Sequence, residues 1–135
     1  MDIVSSARRS KMMAGIKGKS TKPELAVRRM AHQLGYRFRL HSKDLPGSPD
    51  LVFPRLKLAV FVHGCFWHRH EACRYAYSPK TNVEFWDRKF KNNVLRDIRA
   101  KEGLEDMGWR VAIIWECETQ DPVDLRKTVS AILAS

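Results

Sequence analysis

The sequence has no uninterrupted apolar run that approaches the ~20 residues of a membrane-spanning helix. Its first ten residues also lack the apolar segment of a secretory signal. Internal repeats and low-complexity tracts are missing as well. We therefore expect a cytoplasmic protein with no membrane partner.

Cysteines and acidic residues are scarce. The three cysteines are an odd number, which fits a disulfide framework poorly, and thiols in a reducing compartment more often serve metals or chemistry. The 25 lysines and arginines outnumber the 15 acidic residues, which gives a formal charge of +10. A basic surface can simply keep a protein soluble, but it also binds a polyanion by releasing condensed counterions. Nucleic acid is therefore the leading partner.

The length of 135 residues suits one folded domain. Residues 1–20 are basic and rich in small side chains, and we interpret them as an N-terminal DNA-binding arm ahead of a single domain over 21–135. Periodicity and turn residues then predict the order α-β-β-β-α-β-α. The predicted elements are a helix over 22–34, strands over 36–40, 51–53 and 58–62, a helix from about 81, a strand over 109–115 and a helix from 121.

Details of the later helices follow from capping and periodicity. Thr81 and Glu84 have the spacing of a capping box, Ile98 is expected to face inward, and Gly103 is expected to break or bend the helix. Val123 is placed on the inner face of the last helix. A helix between the third and fourth strands permits a right-handed crossover, so we predict an α/β fold with a mixed sheet flanked by helices.

Five potential metal ligands, four within nine positions and the fifth just past the last predicted strand, are Cys65, His68, His70, Cys73 and Cys117. Structural zinc prefers four tetrahedral Cys and His ligands, so three cysteines with His70 would complete a site and leave His68 free. Alternatively, Cys117 is an inert buried thiol and His70 an exposed side chain.

The Pro49–Asp50 pair follows a turn and opens a strand, and another strand comes after it. This resembles the first half of a restriction-endonuclease active site, in which a carboxylate holds Mg²⁺ and a nearby imidazole exchanges protons with water. The usual second half, an acid and a lysine on the later strand, is replaced by Val62 and His63. By itself the pair is also typical of a turn, with Asp50 as a strand-entry cap.

A more specific resemblance rests on six motifs, PGSPD over 46–50, FVHGCFWH over 61–68, EFW over 84–86, RD over 96–97, WRV over 109–111 and WEC over 115–117. Together they resemble the very short patch repair endonucleases, from about Ser10 to Cys117. The resemblance implies a restriction-endonuclease-like fold of the PD-(D/E)xK type with a structural zinc site. It also implies Mg²⁺-dependent nicking of one DNA strand on the 5′ side of the mismatched T in a T:G pair left by deamination of 5-methylcytosine.

The same resemblance assigns roles in catalysis. Asp50 matches the carboxylate that binds Mg²⁺, Val62 the residue whose backbone carbonyl also binds it, and His68 the catalytic imidazole, with Glu24 and Asp97 as supporting acids. Each of these two acids could equally be a solvated helix residue. The matching zinc ligands are Cys65, His70, Cys73 and Cys117. Two departures stand out, because Val62 replaces a threonine and the loop over 68–73 replaces a histidine run, with one more residue between the ligand pair.

Other residues match DNA contacts. The predicted DNA-binding residues are Met13, Ile16, Phe66, Trp67, Trp86, Lys89 and Asn93. The aromatic rings would wedge beside the mismatch, since a mispair costs less to unstack than a good pair, and Met13 and Ile16 would wedge from the other groove. An inner helix face more often makes a ring such as Trp86 part of the core. Lys89 and Asn93 follow it by about one and two helical turns and could reach base edges.

Two other functions would use most of the same residues. One is a sequence-specific homing or restriction nuclease with the same acidic and imidazole groups, and the other is a catalytically inert zinc module that binds distorted DNA. Double-stranded DNA with a T:G mismatch is the expected partner, with mismatch-repair proteins as further candidates. No self-complementary face is evident, so we expect a monomer on DNA.

Overall fold

The computed structural model describes residues 21–134, and within them the predicted order α-β-β-β-α-β-α is confirmed. The predicted arm over 1–20, with Met13 and Ile16, lies outside the described residues. The helices are α1 Lys22–Gln33, α2 Val83–Asp106 and α3 Pro122–Ala134. The strands are β1 Arg39–Leu40, β2 Leu51–Phe53, β3 Leu58–His63 and β4 Arg110–Trp115, and short 3₁₀ turns cover Pro54–Leu56 and Glu116–Thr119.

The four described strands form one mixed sheet in the order β1-β2-β3-β4. β1 and β3 are both antiparallel to β2, whereas β3 and β4 run parallel, with Val62 opposite Ile114. A parallel pair needs a crossover connection, which α2 provides between them. The predicted mixed sheet is therefore confirmed.

β3 is covered on both faces, which explains its unbroken apolar sequence. Leu58 and Val60 belong to a core cluster shared with α1 and α3, whereas Ala59 and Phe61 pack with α2. Because side chains alternate along a strand, the last residue, His63, continues the set that faces α2. This alternation places an imidazole against the inner face of the long helix.

The beginning of α1 places an acid close to the sheet. Thr21 caps the helix by accepting a hydrogen bond from the backbone N–H of Glu24 at 3.4 Å, as expected for threonine at this position. Glu24 itself is only 2% exposed. A carboxylate so deeply buried requires partners, so Glu24 is not a solvated helix residue.

The predicted start of α2 is wrong. The helix begins at Val83 and its N-cap residue is Asn82, which has a left-handed φ of 53° and makes no side-chain capping hydrogen bond. Thr81 and Glu84 therefore do not form a capping box. Asn is one of the few residues that tolerates the left-handed region, and the sharp entry from the preceding loop uses it.

The predicted interior of α2 also needs correction. The helix continues without a break through Gly103, where a Cβ would lie only 3.1 Å from the Pro46 side chain. This glycine therefore allows a close approach. Ile98 is 46% exposed and does not face inward, because Ala100 and Leu104 form the buried stripe instead.

The remaining differences lie at element edges. β1 is limited to Arg39–Leu40 because the ring of Phe38 packs against Phe53 at 5.7 Å, which draws the preceding residues toward the core. Val123 is 63% exposed and lies outside the apolar face of α3.

Among the described residues, no helix combines the length and the apolar character needed to cross a membrane.

Candidate active site and metal centre

Asp50 follows a tight turn in which Gly47 and Ser48 have positive φ values of 76° and 48°. Its Oδ2 accepts a 2.7 Å hydrogen bond from the backbone N–H of Val62 on β3. Burial raises the pKa of Asp50 to about 6, the hydrogen bond from Val62 opposes this shift, and the negative charge of Glu24 adds to it. The turn thus fixes a partly desolvated carboxylate at the end of β3.

A second carboxylate, that of Glu24, approaches Asp50 from the first turn of α1. It accepts a hydrogen bond from Arg28 and lies 2.9 Å from Nε2 of His41. His41 follows β1 and donates its backbone N–H to the carbonyl of Asp50 at 3.2 Å. The ligand atoms of Glu24, His41 and Asp50 all lie within 4.8 Å of one another. Two carboxylates this close repel each other, so the cluster is suited to a divalent cation.

Two imidazoles face one carboxylate of α2. His68 Nδ1 lies 2.6 Å from Asp97 Oδ2, and His63 Nε2 lies 3.9 Å from Asp97 Oδ1. Because a carboxylate only accepts, Nδ1 of His68 carries the hydrogen and Nε2 can accept a proton. The two rings stack with centroids 3.8 Å apart. Burial, and to a smaller extent His68, lower the pKa of His63 to about 4, while Asp97 opposes the shift.

Three thiols and one imidazole form a separate group. The ligand atoms of Cys65, His70, Cys73 and Cys117 lie within 4.8 Å of one another, with Cys117 Sγ 3.5 Å from His70 Nδ1. The ring of His70 also stacks on Trp115 at 4.2 Å. Burial raises the pKa of Cys65 to about 12, so this thiol keeps its proton unless a cation replaces it. Of the two candidate histidines, His70 therefore lies with the cysteines and His68 with Asp97.

An aromatic cluster lies between the long loop and α2. The centre of the Phe66 ring lies 5.2 Å from that of Trp67, 5.6 Å from that of Trp86 and 5.1 Å from that of Phe90. Trp67 and Trp86 also contact each other at 5.7 Å. Phe66, Trp67 and Trp86 are each only half-buried. Trp86 thus packs on its neighbours, as a core ring does, while keeping part of its surface open.

A single groove of about 1500 Å³ joins the carboxylates, the two imidazoles beside Asp97 and the aromatic cluster. The predicted site residues that line it are Glu24, Asp50, Val62, Phe66, Trp67, His68, Trp86, Lys89, Asn93 and Asp97. Within the described residues, the groove lining includes none of the four ligands in the cysteine cluster. Reactive groups and aromatic rings therefore share one surface, and the cysteine cluster lies apart from it. Asn93 also donates its amide to the carbonyl of Trp67 at 3.1 Å.

Two histidines of the site were not singled out from the sequence. His63 could have been found from strand alternation, which sets it on the side of α2 together with Asp97. His41 gave no comparable signal, because its ring reaches Glu24 only through a left-handed φ of 47° after β1. A backbone conformation of this kind in a histidine is set by tertiary contacts.

The chain is similar to known proteins over most of its length. The chain is 50% identical over 120 residues to the type II nicking enzyme V.XorIIP of Xanthomonas oryzae pv. oryzae, covering 89% of this chain and 88% of that one. It is 40% identical over 116 residues to the DNA mismatch endonuclease Vsr of Escherichia coli, covering 86% and 74%. The fold resembles that of the homing endonuclease I-Bth0305I catalytic domain, with a TM-score of 0.57 and 21% identity, over 85% of this chain and 96% of that one.

Residues 1–74 match the family described as DNA mismatch endonuclease Vsr, which is more than half of the 135 residues. The relatives named above are a nicking enzyme and a mismatch endonuclease, and both align over most of their length. This chain therefore belongs to the Vsr family and is a DNA endonuclease.

Proposed function

We propose that this endonuclease nicks one strand of double-stranded DNA on the 5′ side of the mismatched T in a T:G pair, using Mg²⁺. The observation that carries the proposal is the single groove, which brings buried carboxylates, an imidazole held by Asp97 and a half-buried aromatic cluster onto one surface. The mismatch endonuclease Vsr named above supports the choice of substrate. The protein acts as a monomer in this proposal.

The acidic cluster fits a hard divalent cation. Asp50 and Glu24 offer oxygen ligands. Burial first, and then the charge of Glu24, raise the pKa of Asp50, and a cation would relieve the repulsion between the two carboxylates. Asp50 and the backbone carbonyl of Val62 would hold Mg²⁺, with Glu24 supporting it. Bound there, Mg²⁺ would polarise the scissile phosphate and increase the acidity of an attacking water.

The protein's own groups supply proton transfer. His68 lines the groove, and its Nε2 can take a proton from water because Asp97 holds the hydrogen on Nδ1. Asp97 also stabilises the imidazolium that would then form. His63 stacks against the same ring and, with a pKa of about 4, stays neutral at neutral pH. It therefore adds no positive charge that would oppose protonation of His68.

The cysteine cluster fits a zinc ion. Three thiolates and one imidazole are the donor set of structural zinc sites, and the four side chains here converge within 4.8 Å. Bound zinc would join the loop after β3 to the end of β4, where Cys117 lies. In this proposal zinc stabilises the fold and takes no part in cutting.

The aromatic cluster provides mismatch recognition in this proposal. Phe66, Trp67 and Trp86 open onto the groove, where a wedge costs less free energy beside a mispair than beside a paired step. The proposed wedge of Met13 and Ile16 from the opposite groove belongs to the arm outside the described residues.

The test compares two duplexes of identical sequence, one with a T:G mismatch and one with T:A. Single-turnover assays in saturating Mg²⁺ should show nicking of the T:G duplex, little nicking of T:A, and neither in EDTA. Asp50→Asn should abolish nicking while leaving binding intact or tighter, because removing the carboxylate removes repulsion from phosphate. Equal cutting of both duplexes would indicate a sequence-specific nuclease, whereas binding without any cutting would indicate an inert zinc module.

A further inference from the structure

Arg69 lies in the long loop between His68 and His70, and the proposed reaction gives it no role. Its φ is 55°, in the left-handed region that arginine seldom adopts. A conformation of this kind persists only where surrounding contacts hold it. The contacts of Arg69 therefore indicate what its position is for.

The guanidinium of Arg69 makes two hydrogen bonds and a cation–π contact at once. It donates hydrogen bonds to the carbonyl of Phe66 at 3.4 Å and to that of Tyr77 at 3.0 Å. Its Cζ lies 4.0 Å from the centre of the Phe90 ring, a close cation–π contact. The side chain of Arg69 thus connects the loop at Phe66 and at Tyr77 to Phe90 on α2.

The backbone carbonyls of two proposed wedge residues, Phe66 and Trp67, are held by side chains. Arg69 holds that of Phe66, and Asn93 on α2 holds that of Trp67 at 3.1 Å. Two consecutive backbone carbonyls of the loop are therefore fixed from two directions, which limits movement of the backbone that carries the two rings. The described lining of the groove does not include Arg69, which instead borders a separate cavity of about 550 Å³ together with Phe90 and Trp86.

We propose that Arg69 is a positioning residue that sets the orientation of Phe66 and Trp67 for wedging beside the mismatch, acting from behind the aromatic cluster and not through DNA. This inference rests on the proposed function. A wedge distinguishes a mispair from a pair only if its rings arrive in a fixed geometry, because rings that can retreat would avoid the unstacking step that differs between the two.

Two variants remove the contacts in different ways. Arg69→Gly accepts the left-handed φ at no steric cost, so any loss in this variant does not come from backbone strain. Arg69→Gln keeps a polar side chain, though a shorter one, and removes the charge and the cation–π contact. Arg74→Gln is the matched control, because Arg74 is a nearby exposed arginine whose guanidinium contacts only its neighbour Tyr75 in the described contacts.

The experiment measures binding of T:G and T:A duplexes at fixed salt, with 2-aminopurine beside the mismatch to report unstacking, and the zinc content and melting temperature of each variant. Both Arg69 variants should keep zinc and lose roughly ten-fold in T:G over T:A preference, the size of one or two charge-assisted hydrogen bonds. Their 2-aminopurine signal should fall, and Arg74→Gln should keep both the preference and the signal.

Two results would overturn the role of Arg69 while leaving the proposed function standing. In one, wild type discriminates and both Arg69 variants discriminate equally well. In the other, the variants keep the preference but bind both duplexes more weakly than Arg74→Gln does, which would make Arg69 a phosphate contact. A wild-type protein that binds and cuts both duplexes equally contradicts the proposed function itself, and this inference with it.

Discussion

At the scale of single residues, the carboxylate of Asp97 lies beside two imidazoles, those of His63 and His68, whose environments differ. His63 is 5% exposed, and its low pKa of about 4 keeps it neutral, whereas His68 is half-buried and lines the groove. In the proposed function, His68 would therefore exchange a proton with water beside the substrate, and His63 would support its ring.

Replacing His68 tests this division. His68→Ala should lose roughly 10²–10⁴-fold in the single-turnover nicking rate, the usual contribution of a positioned acid or base. Its zinc content should stay at the wild-type value, because His68 lies with Asp97 and not with the cysteines. Nicking in saturating Mg²⁺ and elemental analysis of the same samples provide the measurement. Loss of zinc from His68→Ala would make this histidine a ligand and release His70.

Residues of the site differ in how well the sequence predicts them. Asp50 follows a turn of characteristic composition, so a local pattern together with the family resemblance was enough. His63 and His41 depend on where α2 and α1 lie against the sheet, and no local pattern contains that information. The burial of Glu24 likewise follows from the approach of α1 to Asp50, which the helix periodicity alone does not give.

At the scale of elements, the turn before β2 is held by close packing against α2. A Cβ on Gly47 would lie 2.5 Å from Cβ of Ala100 and 3.2 Å from the ring of Phe61, and φ at Gly47 is 76°. Any side chain at this position meets both backbone strain and a steric clash. The position of Asp50, three residues later, depends on this contact.

We expect Gly47→Ala to lower the free energy of unfolding by about 2–4 kcal/mol, from the left-handed conformation and from overpacking. Adding Ala100→Gly removes the clash but not the unfavourable φ, so the double variant should be more stable than the sum of the two single changes predicts. Urea denaturation of the four proteins measures this coupling. Strict additivity would show that the turn and α2 are not in contact.

The loop after β3 depends on the cysteine cluster in a similar way. Purified protein should hold about one zinc per chain, and Cys117→Ser should lower the melting temperature more than it lowers the nicking rate of the protein that stays folded, because structural zinc contributes free energy of folding. Elemental analysis, thermal melting and nicking of the same preparation measure all three. Soluble, active protein without zinc would rule out this role for the metal.

The order of elements was predictable because β3 and β4 carry strong apolar patterns and α2 lies between them. Their ends were not predictable. The start of α2 is set by the left-handed Asn82, and Gly103, which by itself suggests a break, is instead required by the side chain of Pro46. Such contacts join residues far apart in sequence, so local propensity cannot anticipate them.

At the scale of the whole molecule, charge and shape should contribute different parts of DNA binding. The formal charge of +10 would act on phosphate in any sequence, whereas the aromatic cluster, in the proposed function, would act only where bases unstack. Non-specific attraction should therefore be sensitive to salt, and mismatch preference should not.

Raising salt from about 50 to about 200 mM should weaken binding of matched and mismatched duplexes alike, by roughly 10³-fold or more if six or more phosphates are contacted. Plots of log affinity against log salt should run parallel for the two duplexes, so their ratio stays constant. Fluorescence anisotropy at several salt concentrations gives both slopes. A ratio that collapses with salt would show that charge, and not the wedge, carries the preference.

The segment from His63 to His70 leaves almost no room for changes of length. The positions proposed for catalysis, zinc binding and the wedge alternate along it, so one added residue between Cys65 and His68 would shift every later side chain relative to its partner. Glu71 and Ala72, by contrast, are exposed and precede only one further ligand, Cys73. Insertion scanning should therefore find tolerated additions next to Glu71 and none between Cys65 and His70. The loop should therefore accept a change of length beside Glu71, outside the stretch in which each side chain has a fixed partner.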